Sequence, residues 1–138
     1  MFVSFPQGIC PDSQGGVKLE VLITKQFTFN SAHYLPDHPG HCRNLHGHTY
    51  RLELTVKGPV DGKTGMVMDF EDLKRIVQKN VVNRLDHCLL NDVLPSVPTA
   101  ENIALWICRS LQAELPAIYK VKLWETPTCY VEVYAADV

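Results

Sequence analysis

The period of the hydrophobic positions changes several times along the chain, and each change marks an element. In LEVLITKQFTFNSAHY, from Leu19, β-branched and aromatic residues dominate, and Phe27, Phe29, Ser31 and His33 fall on one face of an extended strand. In HTYRLELTVKG the alternation resumes, with Tyr50, Leu52, Leu54 and Val56 on one side and Arg51, Glu53 and Thr55 on the other. A loop with Pro36, Pro39 and Gly40 separates the two, so a long antiparallel pair is predicted. GPVDGKTG is turn chemistry. Asp69 can cap a helix in which Leu73, Ile76, Val77, Asn80 and Val81 follow a 3.6-residue period toward Leu85. DHCLLNDVLPSVP reads as a second loop. Thr99 then stands at an N-cap position with Glu101 in the first turn, and Ile103, Leu105, Trp106, Ser110 and Leu111 predict a second amphipathic helix that Pro116 closes. YKVKLWET and TCYVEVYA end the chain as strands joined by a short turn at Pro127.

The order ββααββ predicts an α+β fold, a four-stranded antiparallel sheet with both helices on one face. Its other face and its edges need cover, which oligomerisation can supply. Residues 1–17, rich in Pro, Gly, Ser and Gln, read as a loosely ordered leader to a single domain over 18–138.

Composition narrows the function classes. With 46% hydrophobic and 20% charged residues, the 138-residue chain is an ordinary globular one. A net charge of -2 gives no basic field for nucleic acid, no apolar run reaches the roughly 20 residues of a membrane span, and a cytoplasmic location is expected. Five scattered cysteines, Cys10, Cys42, Cys88, Cys108 and Cys129, fit neither a disulfide framework nor a paired-cysteine zinc site. Cys10, Cys108 and Cys129 read as packing or surface residues.

The segment HCRNLHGHTY carries the candidate chemistry. His46 and His48 are two apart at a strand start, so both imidazoles project from one face, and Gly47 between them lets another backbone approach. His33 ends the preceding strand, where antiparallel pairing can bring it opposite. Three histidines with a fourth position open fit a catalytic zinc, although imidazole suits iron, copper and nickel too. His38 and His41 compete from the Pro/Gly loop, near the mouth of such a site.

Cys42 precedes this pair closely enough to act as a thiolate base or, alternatively, to close the metal site as a fourth ligand. Asp86 and His87 can form a carboxylate-oriented acid-base pair if a turn brings them together; a capping Asp beside a surface His is the other reading. Glu125, at the end of an apolar strand, requires a partner unless it sits on the rim. The N-C(=N)-N edge of a pterin or guanine would donate two parallel hydrogen bonds to it. Glu101 is most simply a residue that favours the helix N-terminus.

Taken together, His33, Cys42-x-x-x-His46-Gly-His48, Thr64-Gly-Met-Val-Met-Asp69-Phe, Leu85-Asp86-His87-x-x-Leu-Asn91, Pro98-Thr-Ala-Glu101-Asn and Glu125-Thr resemble the family of 6-pyruvoyl-tetrahydropterin synthase and 6-carboxy-tetrahydropterin synthase. The resemblance runs from about Lys25 to the C-terminus. It implies the tunnelling fold, in which three subunits join their sheets into a barrel and two trimers stack into a homohexamer, with active sites at subunit interfaces. It implies one zinc ion per subunit on His33, His46 and His48, Cys42 as general base and Asp86 with His87 as proton relay. Glu125 would anchor the pterin edge, with Thr99, Ala100 and Glu101 also binding substrate. The implied substrate is 7,8-dihydroneopterin triphosphate, with Arg43 and Lys25 as candidates for holding its triphosphate. The short Cys42-to-His46 spacing resembles the carboxy-forming enzyme of queuosine (7-deazaguanine) biosynthesis, which releases acetaldehyde as well as triphosphate. The pyruvoyl-forming enzyme, which eliminates triphosphate only, is the alternative. A non-catalytic pterin- or purine-binding module on the same fold is a third possibility, and it would have no need of Cys42, Asp86, His87 and three histidines together.

Overall fold

The computed structural model describes residues 19–138, so the predicted leader over 1–17 lies outside the described residues. Four strands, β1 (Glu20–His33), β2 (His46–Pro59), β3 (Ile118–Thr126) and β4 (Cys129–Tyr134), form one sheet in the order β1-β2-β3-β4, with every neighbouring pair antiparallel. The period-2 reading of the first two strands is matched residue by residue. Phe27 lies opposite Leu52, Phe29 opposite Tyr50, Ser31 opposite His48 and His33 opposite His46. Phe27, Phe29, Tyr50, Leu52, Leu54 and Val56 are all buried, and the Phe29 and Tyr50 rings stack at 5.0 Å. Ile118, Val121 and Leu123 of β3 add to the sheet's share of the core.

Helices cover that same face. Asp69 caps α1 (Phe70–Val77), its side chain accepting a hydrogen bond from the Glu71 amide. The helix does not run on regularly, as its apolar spacing predicts. A π turn, Gln78–Val82, follows, and a last helical turn, α2 (Asn83–Leu85), ends the rod. The extra residue has a packing reason. Continued at 3.6 residues per turn, the buried stripe through Leu73, Ile76 and Val77 would carry Asn80 and Arg84 into the core. The wider turn instead buries Val81, Val82 and Leu85. Asn80 moves to the margin, where its side chain donates to the Ile76 carbonyl.

The predicted loop after this rod contains a short helix, α3 (Leu90–Val93), anchored by buried Leu90. Thr99 caps α4 (Ala100–Leu111) as expected, its hydroxyl accepting from the Asn102 amide. The buried stripe of α4 is Ala100, Ile103, Ala104, Ile107, Cys108 and Leu111. Leu105, Trp106 and Ser110, predicted for that stripe, lie on its flank, because two small residues, Ala104 and Cys108, let the helix approach the sheet closely. The burial of Cys108 agrees with its reading as packing. Among the described residues no helix is long and apolar enough to cross a membrane.

The Asp69 cap has a measurable consequence. Asp69→Ala removes the acceptor for an otherwise unpaired amide of the first turn and should cost about 1 kcal/mol of stability. Urea unfolding should report it as a lower midpoint at unchanged slope; an unchanged midpoint would mean the cap contributes nothing.

Candidate metal centre

The register of β1 on β2 assembles the site. With His33 opposite His46 and Ser31 opposite His48, the three imidazoles converge on the helix-covered face at one end of the sheet. One ligand nitrogen from each lies within 4.8 Å of the others, and His33 is fully buried. Gly47 is needed for this packing: a Cβ there would stand 3.3 Å from the Ser31 carbonyl oxygen.

The hydrogen bonds fix the ring tautomers. His33 Nδ1 lies 2.8 Å from the Pro98 carbonyl oxygen and His46 Nδ1 lies 2.7 Å from that of Asn44. A carbonyl only accepts, so both rings donate through Nδ1, which in a neutral imidazole leaves Nε2 as a bare lone pair facing inward. Those two Nε2 atoms are 2.9 Å apart. Two lone pairs at that distance repel unless a cation lies between them. His48 Nε2 is buried without a hydrogen-bonding partner. The Glu125 carboxylate stands 3.2 Å away, but off the line of a hydrogen bond. Burial holds the His48 imidazole below its ordinary range while Glu125 opposes the shift, so the neutral form, with a free lone pair, is favoured. In their neutral forms the three rings offer inward lone pairs that fit a divalent metal ion.

Cys42 sits half-buried in a 3-10 turn, His41–Arg43, between the two strands. Its carbonyl accepts from the Leu35 amide, and its thiol stands outside the ligand set. The loop therefore leaves the metal group with three histidines and does not close it with sulfur. His38 and His41 are also outside; His38 Nδ1 accepts from the Gly40 amide.

Asp86 and His87 do meet. His87 adopts φ 56, the left-handed region, and this turn lets Asp86 Oδ2 reach His87 Nδ1 at 2.9 Å. Asp86 Oδ1 accepts from the Asn30 amide, and that bond, followed by the one to His87, holds its carboxyl below the ordinary range. The segment docks on the end of β1: the His87 amide donates to the Asn30 carbonyl at 2.6 Å and the Ala32 amide to that of Cys88 at 3.0 Å. The Asn91 side chain clasps both backbone groups of Tyr34, at 3.0 and 2.9 Å. Nothing in the residue pattern around Asn91 signals this clasp, and the carbonyls of Pro98 and Asn44 carry no side-chain signal at all.

Two open depressions flank His48. One, of about 600 Å³, is lined by His48, Ser31, Gly47, His87 and Cys88 among others. The second, of about 450 Å³, is lined by His48, Thr49, Arg51, Trp124 and Glu125 among others. Glu125 sits where the β3–β4 register shifts between Trp124 and Thr126, a bulge of the kind that re-aims a side chain beside a site. A smaller hollow of about 220 Å³ joins Glu125 to Ala100 and Glu101, while the Thr99 hydroxyl is engaged in its cap. His48, Glu125, Ala100, Glu101 and the Asp86–His87 pair are thus gathered at one end of the sheet. Neither depression at His48 counts Cys42 among its lining residues.

Comparison with known proteins gives this arrangement a context. The chain is 37% identical over 135 residues to 6-carboxy-5,6,7,8-tetrahydropterin synthase of Haemophilus influenzae, covering 80% of this chain and 96% of the relative. It is 44% identical over 113 residues to the protein of the same name from Synechocystis, covering 78% and 88%. Its fold overlays on 6-pyruvoyl tetrahydropterin synthase of Caenorhabditis elegans with a TM-score of 0.79 and 27% identity, covering 85% of this chain and 96% of that one. The sheet with its helices is therefore the tunnelling fold of these enzymes. Residues 22–136 match the family model described as 6-pyruvoyl tetrahydropterin synthase, and the chain belongs to that family.

Proposed function

We propose that the protein is a zinc-dependent lyase that converts 7,8-dihydroneopterin triphosphate to 6-carboxy-5,6,7,8-tetrahydropterin, releasing acetaldehyde and triphosphate, in queuosine biosynthesis. The observation that carries this reading is the three-histidine group with bare inward nitrogens and a carboxylate, Glu125, 3.2 Å from one of them. The names of the two bacterial relatives support the carboxy product.

His33, His46 and His48 would hold the ion; zinc, when bound, polarises the oxygens of the substrate side chain and makes the adjoining C–H bonds more acidic. Glu125 accepts two hydrogen bonds from the pterin's amino-pyrimidinone edge and fixes the ring against the strand end. Ala100 and Glu101 at the head of α4 share a hollow with Glu125, and Thr99, the cap of that helix, would hold them in place. Cys42, as thiolate, removes a side-chain proton. His87, oriented by Asp86, returns one. Cys42 lines neither depression at His48, and assembly of the proposed homohexamer, a dimer of trimers, would complete the site at subunit interfaces.

A second reading is 6-pyruvoyl-tetrahydropterin formation, in which triphosphate alone is eliminated; the likeness to the Caenorhabditis elegans enzyme favours it. Incubation with dihydroneopterin triphosphate separates the two. The first reading expects acetaldehyde in step with triphosphate, measured by a coupled alcohol dehydrogenase assay; triphosphate without acetaldehyde would sink it. Dialysis against a strong chelator should abolish turnover and zinc should restore it. His46→Ala should purify without zinc by plasma mass spectrometry, and retention of stoichiometric metal would remove His46 from the ligand set. Cys42→Ala should lower kcat by roughly a hundredfold to ten-thousandfold with zinc content unchanged; full turnover would exclude Cys42 as base.

A further inference from the structure

The proposed substrate carries a triphosphate, and such a group requires fixed positive charge near the metal centre. Of the two basic residues considered from sequence, Lys25 is eight residues before His33 on β1, about 26 Å away along an extended strand. Arg43 lies in the exposed turn beside Cys42 and lines neither depression at His48. Of the residues that line those two depressions, Arg51 alone carries a fixed cation.

Arg51 is held in an unusual way for an exposed residue. Its guanidinium lies over the Trp124 ring at 4.2 Å, across the β2–β3 pair. Lys122 Nζ stands 4.8 Å from the same ring and 4.1 Å from that of Tyr130. Neither cation has a carboxylate partner among the described residues, whereas Lys120, Lys79 and Arg75 do. Glu53, opposite Lys122, accepts from Gln26 instead. Trp124 Nε1 is buried and without a hydrogen-bonding partner. Stacking orders the guanidinium in advance and leaves its N–H edges free, which suits a phosphate oxygen. Glu125, which lines the same depression, forms no ion pair with Arg51; its carboxylate stands 3.2 Å from His48 Nε2 instead.

We propose that Arg51, stacked on Trp124 at the lip of the His48–Glu125 depression and backed by Lys122, anchors the polyphosphate of the substrate. The proposal rests on the function assigned above, and the test separates the two. Zinc-loaded full-length protein is titrated calorimetrically with inorganic triphosphate and with phosphate-free dihydroneopterin, and KM and kcat are measured with dihydroneopterin triphosphate. Arg51→Gln should weaken triphosphate binding and raise KM by roughly tenfold or more, leaving kcat and dihydroneopterin binding unchanged. Arg51→Lys keeps the charge without the fork and should give a smaller loss, and Lys122→Gln likewise. Unchanged triphosphate affinity in Arg51→Gln, equal loss of dihydroneopterin binding, or no triphosphate binding by the parent protein would each overturn the proposal. If the parent protein binds triphosphate through Arg51 but does not turn over the substrate, the anion site stands and the assigned reaction falls.

Discussion

The antiparallel register of β1 on β2 is the constraint on which the rest of the site depends. It sets His33 against His46 and Ser31 against His48. A slip of one residue would turn every imidazole to the opposite face of the sheet. Two independent sets of contacts hold the register. On the helix side, Phe27, Phe29, Tyr50 and Leu52 are buried, each contributing on the order of 1.5–3 kcal/mol. On the open side, Thr24 bonds to Thr55, Gln26 to Glu53 and Thr49 to Asn30, pairings that only this alignment allows. The geometry of the three histidines is thus a by-product of burying an alternating pair of strands, and it is as secure as the core itself.

The segment that bears Asp86 and His87 is secured differently. A non-glycine residue in the left-handed region costs of order 1–2 kcal/mol, and His87 is held there by groups at the end of β1. Asn30 contributes both its backbone groups, Ala32 its amide and Tyr34 the two that Asn91 clasps. All three belong to the stretch of chain that contains His33. The Asp86–His87 pair and His33 are therefore referenced to the same five-residue piece of backbone, and the side chains cannot drift relative to one another without breaking several hydrogen bonds at once.

Much of this was legible in the sequence because it rests on side-chain period. Strands whose alternate positions are apolar, and histidines two apart at a strand start, state their geometry directly. Thr99 and Asp69 state theirs through capping chemistry. What stayed hidden depends on backbone atoms or on non-local fit. The carbonyls of Pro98 and Asn44 decide which nitrogen of His33 and His46 faces inward, and any residue could supply a carbonyl. The π turn at Gln78–Val82 answers the need to keep Asn80 out of a core that other elements define. Leu105 and Trp106 look like core residues by hydrophobicity, yet Ala104 and Cys108 face the sheet because close approach favours small side chains. The bulge that aims Glu125 exists only once β4 has paired with β3.

The end of the sheet also keeps opposite charges from pairing. The proposed roles of Glu125, as acceptor for a neutral ring, and of Arg51, as anchor for a polyanion, require this, because an ion pair between them would leave neither free for a ligand. Trp124 stacks on Arg51 while Glu125, at the bulge, stands 3.2 Å from His48, so neighbouring residues of β3 serve the two chemistries without an ion pair between Arg51 and Glu125. Glu125 faces the partly buried histidines, where the low local dielectric strengthens its interactions. Arg51 lies on the face without helices, where Trp124 orders it and solvent leaves its charge accessible. That face cannot be apolar in its middle and still present cations at the lip. The sequence meets both demands by alternating Arg51 and Glu53 with buried residues along β2 and by placing aromatic rings under Arg51 and Lys122, which have no carboxylate partner among the described residues. The same alternation that makes β2 a stable central strand therefore permits one end of it to carry the histidine group on one side and Arg51 on the other.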